Sequence, residues 1–348
     1  MSWRRSRSRV RETALLLWVT IGVAILFDFT NGFHDTANAI ATSISTRALS
    51  PHAAVGLSAV FNLVGAVITV AFFQAKVSNT IASTLAIKPG LVVVMSALLG
   101  AIAWNLITWY RGLPSSSTHA LIGGLCGSGI AAAGGLGGVK WSSLGKQVAS
   151  LAISPPLGFF AAALFAILLI FIVYRLHLRP APVNRTFRGL QVLTAAFLSY
   201  SHGANDAQKT MAAITLALIA SGDLTKFQVP LWVVVLSAVT IAFGTYAGGW
   251  RIIRTLGWSI IKLEPVTGLA AQFMGATVIQ GATLVGLPVS TTHVVTGSVM
   301  GVGAIRKLSA VSWGLGANIA LAWLVTIPAA ATIAWVVYAI LHTAGLRG

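Results

Sequence analysis

The sequence predicts an all-α polytopic membrane protein. Of its 348 residues, 56% are hydrophobic and only 8% are charged, whereas soluble domains carry about 25% charged residues. Apolar runs of ~20 residues recur along almost the whole chain, and each is long enough to cross the hydrocarbon core as a helix. A third observation, that two polar motifs occur twice in the same order, predicts two repeats of helices. We expect inverted-topology repeats with broken helices and re-entrant hairpins, and about 10–12 membrane segments in all.

Basic residues give the chain a net charge of +17, but their positions fit a membrane surface. Five arginines precede the first apolar run, and four more lie between the two halves of the chain. Loops that face an anionic leaflet carry this excess of positive charge. We therefore expect a multi-pass protein of the cell membrane, with the lipid bilayer and not nucleic acid as its partner.

The two polar motifs indicate an internal duplication. NGFHDTAN at residues 31–38 is matched by GANDAQK at 203–209, which places Asp35 and Asp206 171 residues apart. PSSSTH at 114–119 is matched by PVSTTH at 288–293, 174 residues further on. Two unlike motifs with almost the same offset are not expected by chance.

The duplication predicts a division of the chain into a basic tail at 1–12, a first transmembrane repeat at 13–174, a basic linker at 175–188 and a second repeat at 189–343. Each half would hold an odd number of crossings, about five, and an odd number gives inverted repeats. The basic tail and the basic linker would both favour the cytoplasm, which requires an even number. We expect a cytoplasmic linker and leave the orientation of the N-terminus open.

The Ser/Thr-rich motifs have the composition of an anion site. Proline is tolerated at a helix start, and the unpaired N–H groups of a first helical turn, with the positive end of the helix dipole, bind anions. Two such starts that meet would form a neutral, donor-rich cage for a tetrahedral oxyanion. The alternative is a helix start that only caps itself. The predicted substrate-binding residues here are Ser115, Ser116, Ser117, Thr118, His119, Ser290, Thr291, Thr292 and His293.

The acidic motifs have the composition of a cation or proton site. A carboxylate in an apolar span costs roughly 2.5–3.5 kcal/mol on insertion scales, and Asp35 and Asp206 lie in matching places. Carboxylate and amide oxygens at a helix break bind a small hard cation or a proton, so we expect a break at each motif. The alternative is a helix cap. The predicted coupling residues are Asp35, Asp206, Asn31, Asn38 and Asp28.

The second motif adds three candidates for substrate binding, Asn205, Gln208 and Lys209. Lys209 stands where the first copy has Asn38. It could pair with Asp206 on one helical face or face a bound anion, and the sequence leaves both options open. The histidines inside the motifs are expected to donate structural hydrogen bonds. No Cys/His spacing indicates a metal site, and no cofactor is expected.

These motifs, in this order, resemble the signatures of the inorganic phosphate transporter (Pit) family over nearly the whole chain. They include WNLITWY at 104–110 and SHGANDAQK at 201–209, beside the two motifs at 31–38 and 114–119. The resemblance implies a duplicated, inverted fold in which the motifs hold inorganic phosphate between the halves and a cation is cotransported.

The resemblance also bears on the coupling ion. Sodium-coupled animal members carry glutamates at two further repeat positions, where this sequence has Asn62 and Gln272. The chain is therefore similar to the bacterial low-affinity permeases, which import phosphate with protons and accept it as a neutral metal–phosphate complex. Sodium coupling and sulfate transport are the alternatives within the family, and the oligomeric state is open, with a homodimer among the options.

Two functions of other classes compete with transport. A membrane-embedded phosphohydrolase would use Asp35 and His119 as acid and base, but an enzyme seldom needs two equivalent half-sites. An anion channel would not need carboxylates at its site. The chain also lacks the G-x-x-x-x-G-K-[ST] loop of ATP-driven pumps, so we expect a secondary transporter.

Overall fold

The computed structural model describes residues 2–177, 179–255, 263–306 and 308–346, and almost all of them lie in helices. In the first half the helices are α1 (Ser2–Ser45), α2 (Pro51–Phe73), α3 (Lys76–Ala82), α4 (Leu91–Tyr110), α5 (Ser117–Ala133) and α6 (Trp141–Arg175). In the second half they are α7 (Pro180–Ser221), α8 (Leu231–Ala247), α9 (Trp250–Arg254), α10 (Pro265–Leu284), α11 (Thr291–Ala304) and α12 (Trp313–Thr343).

The order of helices is the same in both halves. Each half begins with a helix of more than 40 residues that carries an acidic motif, α1 with 44 residues and α7 with 42. Each then has a medium helix, a short one, another medium one, a helix that starts at the Ser/Thr-rich motif, and a long last helix. The internal duplication seen in the motifs therefore extends to the whole succession of helices.

Hydropathy and exposure both fit a membrane. Within the described residues, five helices are long and apolar enough to cross a bilayer, namely α1 from Arg11 onward, α2, α4, α6 and α12. Large apolar side chains point outward, such as Leu164 at 67% and Leu324 at 77% exposure, whereas Asp35 and Asp206 are buried. Exposed apolar side chains together with buried carboxylates fit a protein whose outer surface faces lipid.

Helices α5 and α11 are too short to span. At 1.5 Å per residue their 17 and 14 residues give lengths of about 26 and 21 Å, below the ~30 Å of the hydrocarbon core. Their starts lie at the Ser/Thr-rich motifs, inside the protein. The re-entrant geometry expected for these motifs agrees with these lengths.

The helix breaks expected at the acidic motifs are absent, because α1 and α7 run without interruption through residues 31–38 and 203–209. Neither motif contains proline, and Thr36 Oγ1 donates to the carbonyl of Gly32 at 2.6 Å, a bond compatible with a continuous helix. Several of the polar side chains, such as Asp35, Asn205 and Lys209, find a partner on a neighbouring helix, so the backbone does not have to open for them. Helix α7 also begins at Pro180, inside the predicted linker.

The two halves are interlocked, and their contacts repeat. Helix α1 packs on α8 while α7 packs on α2, and α5 packs on α12 while α11 packs on α6. One apolar cluster includes Leu17 to Phe27 of α1, and a second includes Ala37 to Ile44. Asp28 and the start of the acidic motif lie between these two clusters, which places the polar site in the C-terminal half of α1.

Close crossings of the long helices depend on matched glycines. A Cβ at Gly65 of α2 would overlap the carbonyl of Tyr200 of α7, and a Cβ at Gly244 of α8 would overlap the carbonyl of Phe29 of α1. Phe29 and Tyr200 are themselves 171 residues apart. The same close approach therefore holds each acidic motif against the opposite half.

Replacing Gly65 with alanine is expected to lower stability by about 1–3 kcal/mol, because the added methyl group overpacks the α2–α7 crossing. Gly56, on the same helix, has nothing within 4 Å of an added Cβ, so Gly56→Ala should be neutral or stabilise by roughly 0.5–1 kcal/mol. Thermal unfolding of both variants in detergent, followed by circular dichroism, checks this. Equal effects at the two positions would contradict the assigned crossing.

Candidate functional site

Three buried charged residues lie together where α1 and α7 pass each other. Asp35, Asp206 and Lys209 have at most 1% of their surface exposed. The Lys209 ammonium is 2.9 Å from Asp206 Oδ2 and 4.0 Å from Asp35 Oδ2. Since an unpaired buried charge is costly, the lysine and the two carboxylates stabilise one another.

Lys209 is also bonded to the first half. Its ammonium donates to Ser117 Oγ at 2.6 Å and to Asn31 Oδ1 at 3.2 Å. Together with Asp206 these are three close oxygen acceptors for the three N–H bonds of an ammonium group. Of the two options that the sequence left open, the structure has Lys209 paired with Asp206.

Asp35 joins the acidic motif to both Ser/Thr-rich helix starts. Its Oδ2 accepts from Ser117 Oγ of α5 at 2.7 Å, and its Oδ1 accepts from Thr292 Oγ1 of α11 at 3.3 Å. His34 Nδ1 lies 2.8 Å from the same Oδ1. One carboxylate therefore contacts the predicted anion-binding element of each half.

Asp206 is held through one of its two oxygens, Oδ2, which is also the oxygen that Lys209 contacts. Its Oδ2 lies 3.2 Å from His202 Nε2 and accepts from Thr291 Oγ1 at 3.5 Å, and its Oδ1 has no hydrogen-bond partner among the described residues. His202 Nδ1 lies 3.0 Å from Asn62 Oδ1, and the amide of Asn62 donates to Thr245 Oγ1. The oxygen of Asn62 is thus an acceptor, so Nδ1 of His202 carries a proton and Nε2 faces the carboxylate.

The starts of α5 and α11 are built alike. Ser116 Oγ accepts from the N–H of His119 at 3.2 Å, and Ser290 Oγ accepts from the N–H of His293 at the same distance. These caps leave the N–H groups of Ser117, Thr118, Thr291 and Thr292 without an intrahelical partner. Both dipoles point their positive ends at this place.

The two helix starts meet each other. Thr118 Oγ1 donates to the carbonyl of Val289 at 3.2 Å, and the rings of His119 and His293 are 4.5 Å apart. Trp323 of α12 stacks on His293 at 3.7 Å. Asn38 completes the cluster, because its amide donates to Thr292 Oγ1 at 2.9 Å and to Thr291 Oγ1 at 3.3 Å.

A model of the phosphate transporter family matches residues 31–334. The chain belongs to the phosphate transporter family. The match includes both copies of both motifs and confirms the resemblance seen in the sequence.

Curated relatives match over almost their full length. A probable low-affinity inorganic phosphate transporter of Rhizobium meliloti (strain 1021) is 47% identical over 329 residues, which are 93% of this chain and 96% of the relative. One of the same name from Bacillus subtilis (strain 168) is 44% identical over 95% of this chain and 99% of its own. A solved structure titled "The sodium-dependent phosphate transporter" aligns with a TM-score of 0.82 at 27% identity, over 94% of this chain and 99% of that one.

The protein is therefore a multi-pass phosphate transporter of the cell membrane, and not an enzyme. Its buried cluster lies between the halves and joins donors suited to an oxyanion with carboxylates suited to a cation. Both classes of group predicted from the motifs are brought together there.

Some of the predicted site residues lie apart from this cluster, or their polar atoms are already hydrogen-bonded to other residues of the protein. Gln208 Oε1 accepts from the N–H groups of Val77 and Ser78 at 3.0 and 3.2 Å, so it caps the start of α3. Asn205 donates to Thr283 Oγ1 at 2.8 Å. Ser115 bonds to Thr108 at 2.8 Å. Asp28 is fully buried, and neither of its oxygens has a hydrogen-bond partner among the described residues.

Other residues of the site were not assigned from the sequence. His34 and His202 each contact a carboxylate directly, and their positions one and four residues before an aspartate were the available signal.

Asn62 and Gln272 do not hold matching places, contrary to the expectation from the sequence: Asn62 is on α2, whose counterpart is α8, whereas Gln272 is on α10, whose counterpart is α4. The hydrogen-bond partners of Asn62 and Gln272 lie on helices distant in sequence.

Replacing Gln208 with alanine should lower the melting temperature of the transporter and leave its apparent KM for phosphate nearly unchanged. Two buried N–H groups of α3 would lose their acceptor, at about 1–3 kcal/mol. Thermal unfolding and phosphate uptake in proteoliposomes measure the two effects, with Gln228→Ala at an exposed position as the control. A raised KM at an unchanged melting temperature would instead assign Gln208 to phosphate.

Proposed function

We propose that the transporter imports inorganic phosphate by symport with protons. The observation that carries this proposal is the double contact of Asp35, which accepts hydrogen bonds from Ser117 of α5 and from Thr292 of α11. These hydroxyls belong to the helix starts that are suited to an oxyanion. The anion site and the proton site thus share atoms.

In this proposal phosphate binds between the starts of α5 and α11. The unpaired N–H groups and the hydroxyls of residues 115–118 and 290–292 surround it, and the two helix dipoles favour its charge. His119 and His293 border the site through their ring contact. A tetrahedral anion fits donors that converge from two sides.

Competition for hydroxyl protons couples the two substrates. A hydroxyl has a single proton to donate, so Ser117 and Thr292 cannot donate to Asp35 and to phosphate at once. A proton that binds Asp35 removes its need for these donors and frees them for phosphate. By linkage, phosphate must then favour the binding of the proton to the same degree.

Asp206 and Asp28 extend the proton path in this proposal. His202 Nε2 and Asp206 Oδ2 face each other at 3.2 Å, a geometry that one shared proton satisfies. Asp28 lies seven residues before Asp35 on α1, and neither of its oxygens has a hydrogen-bond partner in the part of the chain that the structure describes. An unpaired buried carboxylate is costly to keep ionised, which suits a group that binds a proton in transit.

Sodium coupling is the second candidate, since the aligned solved structure is titled as sodium-dependent and the site of this chain is rich in oxygen. Against it stand Asn62 and Gln272, because amides supply no charge. Three further points stay proposals: that phosphate is transported as a metal complex, that sulfate is a second substrate, and that the transporter is a homodimer. Hydrogen phosphate can donate to Asp35 or Asp206, whereas sulfate cannot, so the carboxylates favour phosphate.

Uptake of labelled phosphate into proteoliposomes tests the proposal under separately imposed proton and sodium gradients, with and without divalent metal. We expect the proton gradient to drive accumulation, the sodium gradient alone to be ineffective, and excess sulfate to compete weakly. Accumulation that follows sodium and ignores pH would contradict proton coupling.

Asp206→Asn is the inactive control for this experiment. Without Asp206, Asp35 is the one carboxylate within 4.0 Å of the Lys209 ammonium among the described residues, so Asp35 stays ionised and cannot take up its proton. The variant should keep its melting temperature within a few degrees and lose uptake. Normal uptake by this variant would refute a role for Asp206.

A further inference from the structure

We propose that Lys209 acts as a tethered cation that fills one of two cation sites, so that one external cation accompanies each phosphate through the Asp35–Asp206 cluster. This inference rests on the proposed function and deepens it. It explains why two carboxylates are present where the symport needs one mobile charge.

The surroundings of the ammonium are those of a bound cation. Its close neighbours are the oxygens of Ser117, Asp206 and Asn31 at 2.6, 2.9 and 3.2 Å, with Asp35 Oδ2 at 4.0 Å. Three donors and three close acceptors leave no N–H bond for phosphate. Lys209 therefore balances charge and does not serve as an anion ligand.

The duplication shows what Lys209 replaces. Its counterpart 171 residues earlier is Asn38, and the counterpart of Ser117, 174 residues later, is Thr291. Lys209 donates to Ser117, and Asn38 donates to Thr291. The two side chains make the same contact in opposite halves, but one is neutral and the other is charged.

The charges of the cluster then count as two carboxylates and one ammonium, which leaves a single negative charge for a mobile cation. Lysine pairs only partly with Asp35, at 4.0 Å, and fully with Asp206, at 2.9 Å. Asp35 is thus the carboxylate that stays available. His34 and His202 contact the two carboxylates directly, and Asp28, His119 and His293 are further titratable groups near the cluster among the described residues.

Without the ammonium, the remaining groups form a cation site. One ligand atom each of Asp35, His202 and Asp206 lies within 4.8 Å of the others. Lys209→Asn restores the residue of the first half and adds an amide oxygen to this set. The variant should therefore need a second external cation, and Na⁺ is a suitable probe for oxygen ligands.

The test compares Lys209→Asn with the wild type in NaCl and in N-methyl-D-glucamine chloride, at a fixed proton gradient. We expect Na⁺ to raise phosphate uptake by the variant roughly tenfold, equivalent to ~1.4 kcal/mol of cation binding, and to raise its melting temperature by at least about 2 °C. Na⁺ should change neither the uptake nor the melting temperature of the wild type. Lys209→Arg, which keeps the charge, and Lys76→Asn, a lysine outside the site, should also show no Na⁺ effect.

Uptake by Lys209→Asn that equals the wild type without Na⁺, or Na⁺ stimulation of the variant no greater than that of the wild type, would overturn the tethered cation. If the single variant is not recovered folded in either salt, Asp206→Asn/Lys209→Asn decides, because removal of both charges should restore folding and failure to do so would overturn the charge balance. A wild type that shows no proton-driven phosphate uptake would instead refute the proposed function.

Discussion

The structure depends on one constraint: the carboxylates of Asp35 and Asp206 are buried together in the apolar interior of a membrane protein. Ionised groups in such surroundings must be paired and hydrogen-bonded. Asp206 is paired with Lys209 on the next turn of α7, and Asp35 draws its donors from α5 and α11. The long continuous helices, the glycine crossings and the two short helices together bring these partners to one place.

In the proposed mechanism this arrangement gives the phosphate transporter a direct link between anion and cation. The hydroxyls of Ser117 and Thr292 donate to Asp35, yet they stand on the helix starts that an oxyanion would occupy. Binding a proton or another cation at Asp35 changes what these hydroxyls can donate to. In this account the binding of the anion and the binding of the cation are coupled because each hydroxyl can donate only one hydrogen bond. The groups lie within a few ångströms of one another, so no long path through the protein is needed.

Much of this could be predicted from the sequence, because the duplication itself pairs each motif with its equivalent in the other half. The offsets of 171 and 174 residues identified Asp35 with Asp206 and the two Ser/Thr-rich helix starts with each other, and these residues do meet. The predicted helix breaks were wrong: α1 and α7 stay continuous through both motifs, and side chains such as Asp35 and Lys209 find partners on other helices. Contacts such as His202 with Asn62, or His293 with Trp323, depend on which helices cross between halves, and sequence offset carries no such information.

The central claim is that binding of phosphate and binding of a proton at Asp35 are linked. Calorimetric titration of phosphate into the purified transporter, repeated in buffers of different ionisation enthalpy, gives the number of protons taken up on binding. The account predicts proton uptake by the wild type that is lost in Asp35→Asn, while phosphate still binds the variant. The same number of protons taken up by both proteins would contradict it.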